Sequence, residues 1–278
     1  MKPHIWLKGF KHLLILIFIF TTLLPFLWTA ITSFKSNSEI LSYPPTIIPE
    51  ESTFQNYIEL FSTTYHFEDY LANSLLLVVF SVTITLIVSM FGGYAASRFK
   101  FKGKETIMFL ILMGMAIGRF ANAMPLYFLA NELKLYNTYF ILVIAYAAFI
   151  APLVTWLMRA YYNTIPFSIE EAARIDGCSR WGAFWRVIFP IVRPSIIAGG
   201  VIAASNAWNE FILTLNLTNT QSMRTLPLAL HLLQTDIGVD WGLLSAGAVI
   251  SILPILIIFL LLQKYFVQGL TAGSISAS

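Results

Sequence analysis

Few side chains in this 278-residue sequence are suited to covalent chemistry. The histidines His4, His12, His66 and His231 are scattered, and neither HExxH nor GxSxG occurs, so no metal site and no activated serine are expected. Gly103-Lys104 lacks the earlier glycine of a phosphate-binding loop, so the chain is expected to bind no cofactor and no ATP in that manner. Cys178 stands alone, which excludes an internal disulfide. What remains is binding chemistry. Glu210 lies in an apolar stretch beside Asn206, Trp208 and Asn209. Amides and carboxylates take hydroxyl groups and an indole face stacks on a ring, so these four could line a path for a hydroxyl-rich solute. Equally, Glu210 reaches outer water or pairs with a partner helix. Arg119, in "GRFANAMPLY", snorkels outward, meets a partner, or holds an anionic solute. The other concentration of charge is "SIEEAARIDGCSRWGAFWRVIFP", Ser168 to Pro190, with three acidic and three basic residues.

These groups must be positioned by something very apolar. The composition is 58% hydrophobic and 11% charged, against roughly 25% charged in a soluble domain. Lipid must be the solvent. Six stretches have the ~20 apolar residues that a span needs: Leu13–Phe34, Tyr70–Ser97, Thr106–Leu129, Thr138–Met158, Pro194–Leu217 and Trp241–Gln263. The first is too long for a cleaved signal and holds Pro25 and Trp28, so it reads as an anchor. Lys2, Lys8 and Lys11, then Arg98, Lys100, Lys102 and Lys104, then Arg159, Arg174, Arg180, Arg186 and Arg193, and Lys264 all fall on one side. The opposite first loop is acidic, with Glu39, Glu50, Glu51, Glu59, Glu68 and Asp69. Positive charge stays inside, so both termini are expected in the cytoplasm. "GMAIG", Gly114–Gly118, and "AGGVIAAS", Ala198–Ser205, have small residues at spacings that let helices approach closely.

The charged stretch is therefore cytoplasmic. Ser168 followed by Glu171 has capping-box spacing, and Gly177 suits a left-handed helix end, which predicts a helix over Ile169–Asp176. Ser179 caps a second predicted helix, Trp181–Phe189, with Trp181, Phe184, Trp185 and Ile188 on one face. That aromatic, basic helix should lie in the membrane interface, and Pro190 and Pro194 should turn the chain into the fifth span. Two short helices joined at a glycine make a handle for a partner, or else a solvated loop.

"EAARIDG", followed after nine residues by "VIFP", resembles the EAA loop of ABC importer permeases: E-A-A, three residues, G, nine residues, I-x-L-P. Glu171, Ala172, Ala173, Gly177 and Pro190 match, while Val187 and Phe189 stand in for Ile and Leu and stay apolar. "WNEFI" (Trp208–Ile212), "RTLPLAL" (Arg224–Leu230), "GLTAG" (Gly269–Gly273) and "ITSFK" are similar to the shorter permease of maltose-type carbohydrate importers. The resemblance implies an all-α integral membrane fold, six transmembrane helices with cytoplasmic coupling helices in a MetI-like permease bundle. It divides the chain into an anchor helix and external loop (1–69), a permease core (70–263) with its EAA loop at 159–193, and a cytoplasmic tail (264–278).

The resemblance further implies a subunit of a bacterial cell-membrane importer for sugars, oligosaccharides above all, with no enzyme activity of its own. Glu171, Ala172, Ala173, Asp176, Gly177 and Pro190 would couple it to an ATPase. Its partners would be a homologous second permease, an ATPase dimer carrying ATP and Mg, an extracellular solute-binding protein and the bilayer, with no nucleic acid. Asn206, Trp208, Asn209, Glu210 and Arg119 would be the path residues. The tail ends "AGSISAS", without the basic residue common in the family. A permease for a polyol or glycerol phosphate is the nearest alternative. A secondary transporter would want several acids at mid-membrane and an internal repeat. An intramembrane enzyme would want converging nucleophile, base or metal ligands, and none is found.

Overall fold

In the computed structural model the described residues are 4–62, 65–235 and 238–274. Lys2 and the last tail residues, 275–278, lie outside them. The chain forms two compact units, Met1–Glu68 with Ala229–Leu253 and Asp69–Leu228 with Pro254–Ser278.

The first unit opens with α1, His4–Thr32, which is exposed from Phe10 to Trp28, with burial setting in only toward Thr32. Its hydroxyls are satisfied within the helix: Thr21 donates to the Ile17 carbonyl at 2.8 Å and Thr29 to the Pro25 carbonyl at 2.9 Å. Such internal bonding is what hydrocarbon demands. Two short helices follow, α2 (Asn37–Ile40) and α3 (Gln55–Leu60). Buried Asn56 ties the loop down, donating to the Ser33 and Lys35 carbonyls at 2.9 Å each. Glu39 accepts from the Thr46 hydroxyl at 2.6 Å, which holds its carboxyl below the usual range.

The second unit contains most of α4 (Phe67–Arg98), then α5 (Lys104–Ala116), α6 (Arg119–Glu132), α7 (Tyr139–Thr164) and α8 (Phe167–Ile175). Next come α9 (Arg180–Ala183), a π-turn (Phe184–Ile188), α10 (Phe189–Trp208) and α11 (Ile212–Leu217). The last helices are α12 (Leu226–Leu232) and α13 (Trp241–Ser274), separated by a small antiparallel ribbon, β1 (Gln234–Thr235) with β2 (Gly238–Val239). Among the described residues, five helices are long and apolar enough to cross a membrane, or six, the expected number, with the bent pair α5–α6 taken as one span.

Three expectations are corrected. The third span is not continuous: α5 and α6 meet at a 96° bend. Gly114 and Gly118 lie at that bend, and a Cβ on either would meet nothing within 4 Å, so among the described residues no helix seats on "GMAIG". The fifth span starts early and stops early. It runs unbroken over Arg180–Trp208, straight through Pro190 and Pro194, and ends before the expected Leu217. The π-turn just before Pro190 loosens the hydrogen-bond ladder where proline removes a donor. Finally, no interfacial helix separates here: Phe184 and Ile188 are buried in protein, and Trp181 stacks on Phe91 of α4 at 5.6 Å.

"AGGVIAAS" does allow close packing. A Cβ on Gly199 would come within 3.0 Å of Val154 on α7. A further close crossing was not anticipated: a Cβ on Gly93 of α4 would lie 2.6 Å from the Met158 Cβ and 2.9 Å from the Arg159 backbone nitrogen.

Candidate functional site

The EAA stretch builds α8, but not with the predicted cap. Pro166 holds the N-cap position and no side chain caps the helix, so the Ser168–Glu171 box does not form. The helix begins at Phe167, which puts Ser168 inside it. Its far end is as expected. Gly177 adopts φ +88°, where a Cβ would be strained, and the Gly177 and Cys178 amides bond the Arg174 and Ala173 carbonyls at 3.1 and 3.0 Å. This is the Schellman closure. Ser179 then caps α9, accepting from the Gly182 amide at 3.0 Å.

Glu170, not singled out in the sequence, anchors the helix. It is 3% exposed. The Tyr94 hydroxyl donates to its Oε1 at 2.5 Å, and Arg98 Nε faces its Oε2 at 3.3 Å. Arg98 also donates to the Ile165 carbonyl at 3.0 Å and lies 5.7 Å from the Phe167 ring centroid. Tyr94 in turn packs edge-on against Phe184 at 4.8 Å. The inward face of α8 is thus locked to the end of α4. Ala173 sits on that inward side, buried, and Pro190 is exposed within α10. The outward face presents Glu171, Ala172, Asp176 and Gly177, all exposed, with Ile175 at 86% exposure. A signal for Glu170 existed: it lies three residues before Ala173 and so on the same helix face.

The path candidates separate into two groups. Arg119, the first residue of α6, stands at the 96° bend. Glu210 stands in the gap between α10 and α11. The two breaks meet: Arg119 Nε lies 3.0 Å from Glu210 Oε2, and Arg119 donates to Asn206 Oδ1 at 3.3 Å. Glu210 Oε1 also accepts the Leu213 amide at 2.8 Å, closing the start of α11. Buried Tyr146 shares a 2.6 Å hydrogen bond with Thr214 beside it. Arg119, Asn206 and Glu210 therefore form one junction. Trp208 is buried, so its ring is not offered to a solute, and Asn209 turns back to its own helix, donating to the Ser205 carbonyl at 2.8 Å. Discontinuous helices whose ends meet around polar groups are a recurrent way to build a solute site in a membrane. Among the described residues, no group of three or more His, Cys, Asp or Glu could hold a metal ion.

Residues 88–272 match the model of the binding-protein-dependent transport system inner membrane component family. The chain belongs to that family. Its fold agrees with a crystal structure of a bacterial ABC transporter involved in the import of the acidic polysaccharide alginate. The TM-score is 0.82 at 23% identity, covering 96% of this chain and 98% of that one. Among its relatives, the galactooligosaccharides transport system permease protein GanQ of Bacillus subtilis is 33% identical, over 95% of this chain and 94% of its own. The trehalose/maltose transport system permease protein MalG of Thermococcus litoralis is 34% identical, over 91% of each.

Proposed function

We propose that this chain is one permease subunit of an ATP-driven importer for oligosaccharides, and that the outward face of α8 is where its ATPase docks. The observation that carries the coupling reading is the two-sidedness of α8. One face is fixed by Glu170 and Arg98, while the other leaves Ile175 86% exposed beside Glu171, Ala172 and Asp176. A large apolar side chain on a capped, anchored helix is an anchor for a partner rather than a core residue. Gly177 ends the helix cleanly, Ala172 permits close seating, and buried Ala173 seats the helix on the bundle. The relatives' names supply the substrate class, oligosaccharides and disaccharides.

On this reading both termini lie in the cytoplasm of a bacterial cell. The assembly contains a homologous second permease, an ATPase dimer that holds ATP and Mg, and an extracellular solute-binding protein. The Arg119–Asn206–Glu210 junction is the solute contact. Arg119 arrives already paired with Glu210, so its remaining donors suit hydroxyl groups better than a carboxylate.

The test is purification in mild detergent, comparing wild type with Glu171→Lys. A vanadate-sensitive ATPase should accompany the wild type and be lost from the variant, whose bundle stays folded because Glu171 is exposed on the outward face. Sugar uptake should fall to background. Normal uptake by Glu171→Lys would overturn the docking assignment.

A further inference from the structure

The same α8 is tied to a structure that extends well beyond it. From Asn73 to Arg98, α4 is one unbroken helix, roughly 37 Å long at 1.5 Å per residue. It is fastened to α7 at four levels. At one end the Tyr139 hydroxyl donates to Asn73 Oδ1 at 2.7 Å. Further along, Thr155 donates to Ser89 at 3.1 Å and Ser89 to the Ala151 carbonyl at 3.2 Å. Next, Gly93 brings the two backbones together at Met158. At the other end Ser97 donates to Asn163 at 2.7 Å and Arg98 to the Ile165 carbonyl. Two helices joined this often move as one body, because sliding would break every level at once.

Each end of the pair grips a different segment. One end holds α8 through Glu170. The opposite end holds the loop between α11 and α12. Asn73 Nδ2 donates to the Ser222 and Arg224 carbonyls at 2.8 and 2.9 Å, and Ser74 accepts the Leu226 amide at 2.8 Å. Asn137, two residues before α7, accepts the Asn219 amide at 3.0 Å. The loop's own tip, Asn219–Ser222, is exposed and polar.

We infer that α4 and α7 form a beam that carries displacement of α8 to the loop at 217–226, with Glu170 and Asn73 as the positioning residues at its two ends. This rests on the coupling role proposed for α8. The beam supplies what coupling needs, a stiff element that both sites bias. Neither Glu170 nor Asn73 lies on the docking face. Each acts through the segment it holds.

The experiment uses the assembled transporter with Cys178→Ser and a spin label at Gln221→Cys, an exposed position. Trapping with ATP and vanadate should shift the wild-type label spectrum. Glu170→Gln should lose that shift while the ATPase remains bound and traps vanadate. Asn73→Ala, at the far end, should lose it too. The double variant should lose no more than either single one, since the ends act in series. A full shift in Glu170→Gln, or losses that simply add, would overturn the beam while leaving the docking of α8 intact. Absence of any ATPase with the wild type would instead overturn the functional reading, and the beam with it.

Discussion

The joint between α4 and α8 and the break between α5 and α6 use the same ingredients, an Arg–Glu pair and glycines, to opposite ends. In both pairs the carboxylate is sealed, with Glu170 and Glu210 each 3% exposed. The arginines differ. The Arg98 side chain is 7% exposed and closed in by the Ile165 carbonyl and the Phe167 ring, whereas that of Arg119 is 33% exposed. The glycines follow suit: Gly93 has another backbone against it, and Gly114 has open space. A sealed arginine can only hold two helices together. A half-open one, with its charge already answered, keeps donors free for something that comes and goes.

The comparison is most easily broken at the joint. Arg98→Met leaves the Glu170 carboxylate buried with only Tyr94 beside it, and breaking a buried pair in this way costs about 3–5 kcal/mol. Hydrogen exchange across α8 should quicken sharply, and the double variant with Glu170→Gln should recover part of the loss. An exchange rate equal to wild type would mean that α8 is held by its apolar contacts alone. Gly93→Ala comes next. The added methyl meets Met158 and the Arg159 nitrogen inside contact distance, and overpacking of this kind costs about 1–3 kcal/mol. It should lower the thermal midpoint in detergent, whereas the same change at an open glycine should not.

At the break, Arg119→Gln removes the half-open charge but keeps hydrogen-bonding capacity. Uptake of neutral oligosaccharide should fall by up to about tenfold, the worth of one or two hydrogen bonds. Uptake of an acidic sugar should fall no further than that. A selective loss of acidic sugar would make Arg119 a charge reader after all, and would collapse the distinction drawn between the two arginines.

Much of this was legible in the sequence. The spans follow from apolar length, and the position of α8 follows from "EAARIDG" with Gly177 as its terminator. The failures share a cause. Ser168 has the type and spacing of a cap, but Pro166 starts the helix first, and that phase error hid Glu170 behind Glu171. Pro190 reads as a turn into the next span, yet a π-turn absorbs it. Nothing in single-residue propensity reports that a ladder can loosen by one residue. Arg119 and Glu210 were each noticed as odd charges, but 91 positions of chain separate them. Their pairing depends on two helix breaks that meet in space, and local pattern says nothing of that.

The smallest expected effect discriminates between two meanings of a glycine motif. Gly114 lies inside α5, and a methyl added there would meet nothing within 4 Å, so Gly114→Ala should strengthen that helix by about 0.5–1 kcal/mol. If "GMAIG" serves only the bend, the purified variant should melt slightly higher and transport normally. That is the expected result, since the bend itself falls after Ala116. Loss of the co-purifying second permease would show instead that the open glycine is a seat filled by another chain. The α5–α6 region would then be sealed in the assembly, as the α4–α8 joint is sealed within the chain.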